Sequence, residues 1–200
     1  MTSHARALAL KRFRWIGGHA DVWQIFRDPG ALAAVVRGLA GPFRDGGVTA
    51  VCGVESRGFL LGAAVAVELG VGFVAVRKGE GIFPGDKVTR RSAPDYRGTR
   101  QELRLQRAAV GPGGRVLLVD DWIETGSQAS AVRSMVEECG GQWAGCSVVV
   151  DQMAPARRAD LGVRSIVAAA ELPAWDGKSS HVSAWPVGEP TGRVCPISDH

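Results

Sequence analysis

The stretch VLLVDDWIETGSQ, residues 116–128, contains the most informative pattern in this 200-residue chain. Four apolar residues lead into Asp120 and Asp121, and a Thr-Gly pair then precedes a helical pattern. An apolar run of this length is typical of a buried strand, and Gly126 suits a tight turn. We therefore predict that the two aspartates end a buried strand and that residues 124–128 form a turn at the start of a helix.

The turn has the features of a phosphate-binding site. Backbone N–H groups at a helix N-terminus carry partial positive charge and point outward, while Thr125 and Ser127 add hydroxyl donors. The carboxylates of Asp120 and Asp121 can accept hydrogen bonds from sugar hydroxyls. The alternative is an ordinary strand-turn-helix capped by Ser127. That alternative does not explain two adjacent carboxylates at the end of an apolar strand, where unpaired charge is unfavourable.

The rest of the chain alternates between strand and helix patterns. Apolar runs and alternating residues predict strands at 48–54, 72–77, 101–106, 115–120, 143–151 and 164–170. Helices are predicted at 31–40, 57–69 and 127–139, with Gly70 at the left-handed position that ends the second. This order predicts an α/β fold with a central, mainly parallel β-sheet flanked by helices. Ligands bind such sheets beyond the carboxyl ends of their strands.

Composition and charge indicate which kinds of molecule the chain can bind and where in the cell it is located. The net charge is +4, but the basic residues are scattered, which favours a small anionic ligand over a nucleic acid. No apolar run approaches the roughly 18 to 20 residues that cross a bilayer, and the N-terminus lacks a signal-peptide pattern. The four cysteines, Cys52, Cys139, Cys146 and Cys195, lack metal-site spacing. We therefore expect reduced thiols, a cytoplasmic location, and no nucleic-acid or membrane partner.

Residues 78–99 interrupt the alternation with a segment rich in glycine, proline and charge. A connection of this length is usually a functional lid or a segment without fixed structure. We therefore expect a flexible lid loop beside the ligand site.

Two segments carry a resemblance to a known family. VLLVDDWIETGSQA, residues 116–129, resembles the phosphoribosyl pyrophosphate (PRPP) motif of type I phosphoribosyltransferases, and residues 53–85 resemble adenine phosphoribosyltransferase. Asp95, Tyr96 and the run QELRLQ are similar to that family's mobile loop and returning strand. The resemblance covers about residues 48–150.

The resemblance implies one phosphoribosyltransferase domain over residues 1–200, with a core at about 30–170. A small hood over the base would come from about 1–28, about 171–200, or both. The implied reaction transfers 5-phosphoribosyl from PRPP to a ring nitrogen of a purine or purine-like base and releases pyrophosphate. Mg²⁺ would arrive with PRPP rather than in a site built by protein alone, and a homodimer is implied. A non-catalytic, PRPP-binding regulator of the same fold stays open as an alternative.

Individual PRPP contacts are also implied by the resemblance. The acidic pair would bind the ribose hydroxyls, the turn would hold the 5-phosphate, and basic residues at strand and helix ends would contact pyrophosphate. The residues are Asp120 and Asp121 for the ribose; Glu124, Thr125, Gly126, Ser127 and Gln128 for the phosphate; and Arg57, Arg77 and Lys78 for the pyrophosphate.

Glu124 departs from the family pattern, which has a small residue at this position. In hypoxanthine-guanine phosphoribosyltransferases the residue before the Thr-Gly pair is acidic, so the resemblance implies that Glu124 is a general base for the acceptor. Asp95, on the lid, is the second implied catalytic residue. Glu124 could instead face solvent or cap the helix. Ser127 and Gln128 also differ from the family's Gly and Thr. Adenine is the implied acceptor, while Glu124 leaves a 6-oxopurine or an unusual base open.

Base recognition is the part that the sequence describes least. Residues 13–29 match the family's hood faintly. Trp15, Trp23, Trp175 and Trp185 can stack on a flat base, although packing in a core or interface is the simpler interpretation. The four histidines are not clustered, and we assign none of them a role.

Overall fold

The computed structural model of the chain describes residues 2–79, 82–95 and 98–175. Nine strands lie in these ranges: β1 (Arg14–Ile16), β2 (His19–Asp21), β3 (Ala50–Val54), β4 (Gly72–Lys78), β5 (Lys87–Arg91), β6 (Glu102–Gln106), β7 (Arg115–Ile123), β8 (Gln142–Asp151) and β9 (Val163–Ala168). β1 and β2 form an antiparallel hairpin, and the other seven form one sheet in the order β5-β6-β4-β3-β7-β8-β9. Five of them run parallel, whereas β6 and β5 add an antiparallel edge. The predicted mainly parallel sheet is confirmed.

Six α-helices accompany these strands in the described ranges: α1 (Thr2–Arg12), α2 (Trp23–Arg27), α3 (Pro29–Ala40), α4 (Arg57–Leu69), α5 (Ser127–Glu138) and α6 (Pro155–Leu161). α1, α3 and α4 contact one another on one face of the sheet, while α5 packs on the opposite face. Leu117 and Val119 of β7 point into the first layer, and Val116 and Leu118 point into the second. Both faces of β7 are therefore buried, which explains its unbroken apolar run.

Glycines allow β3 and α4 to approach each other closely. A Cβ atom at Gly53 would lie 2.0 Å from the carbonyl oxygen of Gly58, so this position has no room for a side chain. The close approach holds the turn at residues 55–57, which contains a cis peptide bond between its first two residues, at the carboxyl end of β3. α4 ends at Gly70, whose φ of 69° confirms the predicted left-handed cap.

Several elements differ from the prediction. The segment 78–99 contains the strand β5, whose pairing with β6 is a contact that its charged local sequence does not reveal. The strand predicted to end at Asp120 is longer, because β7 continues to Ile123 by pairing with the end of β8. α1 was not predicted because its buried positions include small residues such as Ala5 and Ala9, which give a weak pattern. The hairpin, α2 and α6 are short and were also missed.

None of the helices in the described ranges is long and apolar enough to cross a membrane.

We predict that Gly53→Ala lowers the free energy of unfolding by about 1–3 kcal/mol, the usual range for an overpacked core. The new methyl group would meet backbone atoms of Gly58, which cannot rotate away as a side chain would. Urea denaturation followed by circular dichroism measures the change. Gly72→Ala is the matched control, because Gly72 also lies in a strand and its added Cβ would meet nothing within 4 Å. Equal stability losses in the two variants would contradict the close-approach argument.

Candidate active site

A cavity of about 840 Å³ opens at the carboxyl ends of β3 and β7. The amino ends of α4 and α5 form part of its wall, and the β1–β2 hairpin supplies another part. Ten of the eleven predicted site residues line this cavity: Arg57, Lys78, Asp95, Asp120, Asp121, Glu124, Thr125, Gly126, Ser127 and Gln128. The eleventh, Arg77, does not line it. The structure therefore brings together residues that are far apart in sequence.

The turn before α5 has the geometry of an anion site. Gly126 has a φ of 72°, in the left-handed region that favours glycine, and a Cβ there would lie 2.7 Å from the Cε atom of Met153. The first helical hydrogen bond runs from the N–H of Ser130 to the carbonyl of Gly126 at 2.9 Å. The amides before Ser130 therefore have no acceptor within the helix. The backbone N–H of Ser127 donates to the hydroxyl oxygen of Thr125 at 3.2 Å.

The N-cap of α5 is Gly126, and Ser127 is the first helical residue. The N-cap role that the ordinary strand-turn-helix alternative gave to Ser127 is therefore wrong. Gly126 has no side chain that could cap α5, and the first helical residues, Ser127 and Gln128, line the cavity. An anionic group in the cavity can take the place of that cap.

The acidic pair is held by few partners. The backbone N–H of Asp121 donates to Oδ1 of Asp120 at 2.9 Å, and Oδ2 of Asp121 lies 2.9 Å from Nε of Arg57. The Asp121 side chain is 7% exposed, so its charge is poorly solvated. Burial and the neighbouring Asp121 carboxylate raise the pKa of Asp120 well above its ordinary value. The pair is therefore an unfavourable arrangement that hydrogen-bond donors from a ligand would relieve.

Arg77 holds the β3–α4 turn instead of lining the cavity. Its guanidinium contacts Glu55, with Nη2 at 3.2 Å from Oε1 and Nε at 3.3 Å from Oε2. The backbone N–H of Lys78 donates to the same carboxylate at 3.1 Å. The side-chain hydrogen bonds from Arg77 are the main cause that holds the pKa of Glu55 below its ordinary value. Glu55 lines the cavity and lies two residues before Arg57, so Arg77 contacts the turn that leads to Arg57.

Asp95, which the sequence predicts to lie on a lid, lines the cavity wall and is hydrogen-bonded to Thr99. Its backbone N–H donates to the carbonyl of Thr99 at 2.9 Å, and its Oδ1 accepts from the N–H of Thr99 at 2.8 Å. Tyr96, which was grouped with Asp95 in the sequence, lies outside the described residues.

Several cavity residues were not assigned from the sequence. Trp122 and Gln152 lie in the wall, and the indole N–H of Trp122 donates to Oε1 of Gln152 at 3.1 Å. Trp15, His19 and Trp23 of the hairpin region also line the cavity. For the hairpin region, the signals in the sequence were the faint hood match at residues 13–29 and the aromatic residues within it.

Two further tryptophans were named in the sequence as possible partners of the base. Trp175 is half exposed and does not line the cavity. Trp185 lies outside the described residues.

Comparison with known proteins gives a consistent set of relatives. The model of the phosphoribosyl transferase domain matches residues 22–177. An adenine phosphoribosyltransferase from Nitrosospira multiformis is 41% identical over 131 residues, which cover 66% of this chain and 73% of that protein.

Solved structures agree with the sequence matches. A crystal structure of adenine phosphoribosyltransferase from Rhodothermus marinus has a TM-score of 0.73 and 30% identity, covering 83% of this chain and 99% of that one. The enzyme from Giardia lamblia, in complex with 9-deazaadenine, has a TM-score of 0.70 and 32% identity. This match covers 84% of this chain and 97% of the Giardia chain. The chain therefore shares both sequence and architecture with proteins of this name.

We predict that Asp120→Asn raises the free energy of unfolding at neutral pH. The raised pKa of Asp120 means that its charged form opposes folding, so the effect is present above that pKa and absent where aspartates are protonated. Denaturation in guanidinium chloride at a series of pH values should show the gain shrinking as the pH falls. Asp45→Asn, at an exposed position, is the control and should change little. A variant of Asp120 that is less stable than the parent at neutral pH would contradict the prediction.

Proposed function

Because this chain belongs to the phosphoribosyl transferase family, we propose that its cavity binds PRPP and transfers the 5-phosphoribosyl group to a ring nitrogen of a purine, releasing pyrophosphate. One observation carries the proposal. An anion-binding helix start, a carboxylate pair and two cations, Arg57 and Lys78, line the same cavity. PRPP has a phosphate, two ribose hydroxyls and a pyrophosphate, and each of these groups has a complementary partner there.

The turn and the acidic pair suit the phosphoribosyl half of PRPP. The amides and hydroxyls of residues 125–128 would hold the 5-phosphate, with Gly126 allowing close approach. Glu124 begins the same turn and borders the phosphate. Asp120 and Asp121 would accept hydrogen bonds from the ribose hydroxyls. These bonds satisfy the carboxylate oxygens and so relieve the unfavourable burial described above.

The cations suit the pyrophosphate. Lys78 lies in the wall at the end of β4, and Arg57 lies at the start of α4. Arg57 contacts Asp121 in the structure, so binding of PRPP would exchange this ion pair for contacts to phosphate oxygens. We propose that Arg77 contributes indirectly, because its pairing with Glu55 orients the turn that carries Arg57.

Mg²⁺ fits this cavity as a companion of PRPP. No group of three or more His, Cys, Asp or Glu among the described residues is arranged to hold a metal ion. We therefore propose that phosphate oxygens and water hold most of the ion, with carboxylate oxygens of Asp120 or Asp121 at its border. When bound, the ion supplies positive charge to the leaving pyrophosphate.

The transfer reaction requires a general base near the purine that accepts the phosphoribosyl group. As pyrophosphate leaves, positive charge develops on the sugar, and the attacking ring nitrogen loses a proton. We propose that Glu124, which lines the cavity between the acidic pair and the phosphate turn, accepts this proton. Asp95 is proposed as a second catalytic residue, delivered by the lid that excludes water.

Glu124→Gln is expected to leave the dissociation constant of PRPP nearly unchanged and to lower kcat by about 100-fold or more, the usual contribution of a general base. The amide keeps the size of the carboxylate but cannot accept a proton at neutral pH. Calorimetric titration with PRPP and steady-state turnover measure the two quantities. Glu137→Gln is the control, since Glu137 pairs with Arg133 on the surface of α5. An unchanged kcat would remove Glu124 from the mechanism.

The direct test of the function is pyrophosphate release from PRPP and Mg²⁺ with a panel of purines and pyrimidines. Release with a purine is expected. The relatives carry transferase names, which favours catalysis over the non-catalytic, PRPP-binding regulator. Binding of PRPP without release for any base would support the regulator instead.

We propose that the chain forms one domain with a core at about 30–170 and that the β1–β2 hairpin belongs to the hood over the base. The position of Trp15, His19 and Trp23 in the cavity wall supports this assignment. The stretch after 175 lies outside the described residues, and the role predicted for the C-terminal part of the hood stays a prediction.

We also propose a homodimer formed through the outer face of α4. Leu60 is 53% exposed and Val67 is 82% exposed, and their spacing of seven residues puts them on one side of the helix. Neighbouring exposed apolar side chains of this size are typical of an interface. Light scattering should give a mass near twice 21.1 kDa, and Val67→Lys should reduce it toward one chain. A monomeric parent protein would contradict the proposal.

A cytoplasmic location is the last part of the proposal. Cys52, Cys139 and Cys146 are free thiols in the described part of the chain, as expected in a reducing compartment. Cys195 lies outside that part. Fractionation of cells that express the chain tests the location, and recovery outside the cytoplasm would contradict it.

A further inference from the structure

Gln152 directly follows the last residue of β8 and lines the same cavity as the proposed base Glu124. Its backbone N–H donates to the carbonyl of Ile123 at 2.9 Å, which ties it to the end of β7. On its amino side, the buried carboxylate of Asp151 accepts from the N–H of Met153 at 2.8 Å and pairs with Arg158 at 2.5 Å. Gln152 is therefore anchored at both sides, while its side chain lines the cavity.

The side-chain amide of Gln152 also has a fixed polarity. The indole Nε1 of Trp122 lies 3.1 Å from Oε1 of Gln152. An indole N–H can only donate a hydrogen bond, so the oxygen of the amide has to face Trp122. The amide NH₂ is left as the group that Gln152 offers to the cavity. The Gln152 side chain can therefore donate a hydrogen bond to a ligand there.

The Trp122 side chain packs against other aromatic residues. Its ring lies 6.5 Å from the ring of Phe13, measured between centroids, and Phe13 is fully buried. Phe13 in turn contacts Trp15 edge to face at 5.2 Å. This aromatic packing limits rotation of the indole and so maintains the direction of its N–H toward Gln152.

We propose that Gln152 is a specificity residue that donates its amide N–H to a carbonyl oxygen on the acceptor base, so that a 6-oxopurine is preferred over adenine. The inference rests on the transferase function proposed above. Hypoxanthine and guanine carry an oxygen acceptor at C6, whereas adenine carries an amino group that donates. Two donors facing each other leave both groups without a partner, which is unfavourable where the bound base displaces water from them.

The test compares kcat/KM for hypoxanthine, guanine and adenine by pyrophosphate release from PRPP and Mg²⁺. The parent protein should favour the two oxopurines over adenine by about 10- to 100-fold, the usual effect of one unpaired polar group. Gln152→Glu keeps the shape and the contact with Trp122 but removes the donor. It should lower kcat/KM for hypoxanthine by a similar factor and leave the value for adenine unchanged or higher.

Two further variants separate specificity from general damage. Trp122→Phe removes the indole N–H but keeps an aromatic ring, so Gln152 can turn and the preference should shrink. Gln142→Glu makes the same change at the exposed amino end of β8 and should alter neither rate nor preference. A parent protein that prefers adenine, or a Gln152→Glu variant with an unchanged ratio of the two bases, would overturn the inference.

Failure of the underlying function gives a different result. If no base releases pyrophosphate, the transferase proposal fails. Quenching of tryptophan fluorescence by hypoxanthine and by adenine, in the presence of PRPP, then tests the inference alone. Tighter binding of hypoxanthine that is lost in Gln152→Glu supports the inference, and equal binding of the two bases overturns it.

Discussion

Two neighbouring carboxylates, Asp120 and Asp121, lie side by side at the end of a buried strand, and the rest of the site is arranged around them. Burial and mutual repulsion raise the pKa of Asp120, and Arg57 is the cation that contacts Asp121. Such a pair opposes folding in the absence of a ligand. It suits a sugar whose hydroxyls can donate to both carboxylates at once. Binding of such a sugar would therefore recover part of the free energy that burial of the two carboxylates costs.

The packing of the sheet makes this arrangement possible. β7 is buried on both faces and pairs with β3 and β8, so its carboxyl end has little freedom to move. The contact between Gly53 and Gly58 brings the start of α4, and with it Arg57, next to the acidic pair. Gly126 turns the chain into α5, whose first residues line the cavity. The last two features each depend on glycine, which has no side chain.

Much of this could be predicted from the sequence. The apolar run of β7, the helix α4 with its cap at Gly70, and the phosphate turn all have local patterns, because their burial and backbone conformation are set by neighbouring residues. Arg77 was assigned to pyrophosphate, yet its guanidinium pairs with Glu55. The sequence does not reveal whether an arginine at this position contacts a carboxylate of the protein or a phosphate of the ligand. The contact of Trp122 with Gln152 joins the ends of two strands that are 30 residues apart. This contact becomes visible only once the pairing of β7 with β8 is known. Acceptor recognition was for this reason the part least visible in the sequence.

The central claim is that one cavity holds all three parts of PRPP, and a crystal structure of the chain with PRPP and Mg²⁺ tests it most directly. The account predicts the 5-phosphate at the amides of residues 125–128, the ribose hydroxyls within hydrogen-bond distance of Asp120 and Asp121, and the pyrophosphate near Arg57 and Lys78. A phosphate bound away from the start of α5, or a ribose that does not contact the acidic pair, would contradict the account.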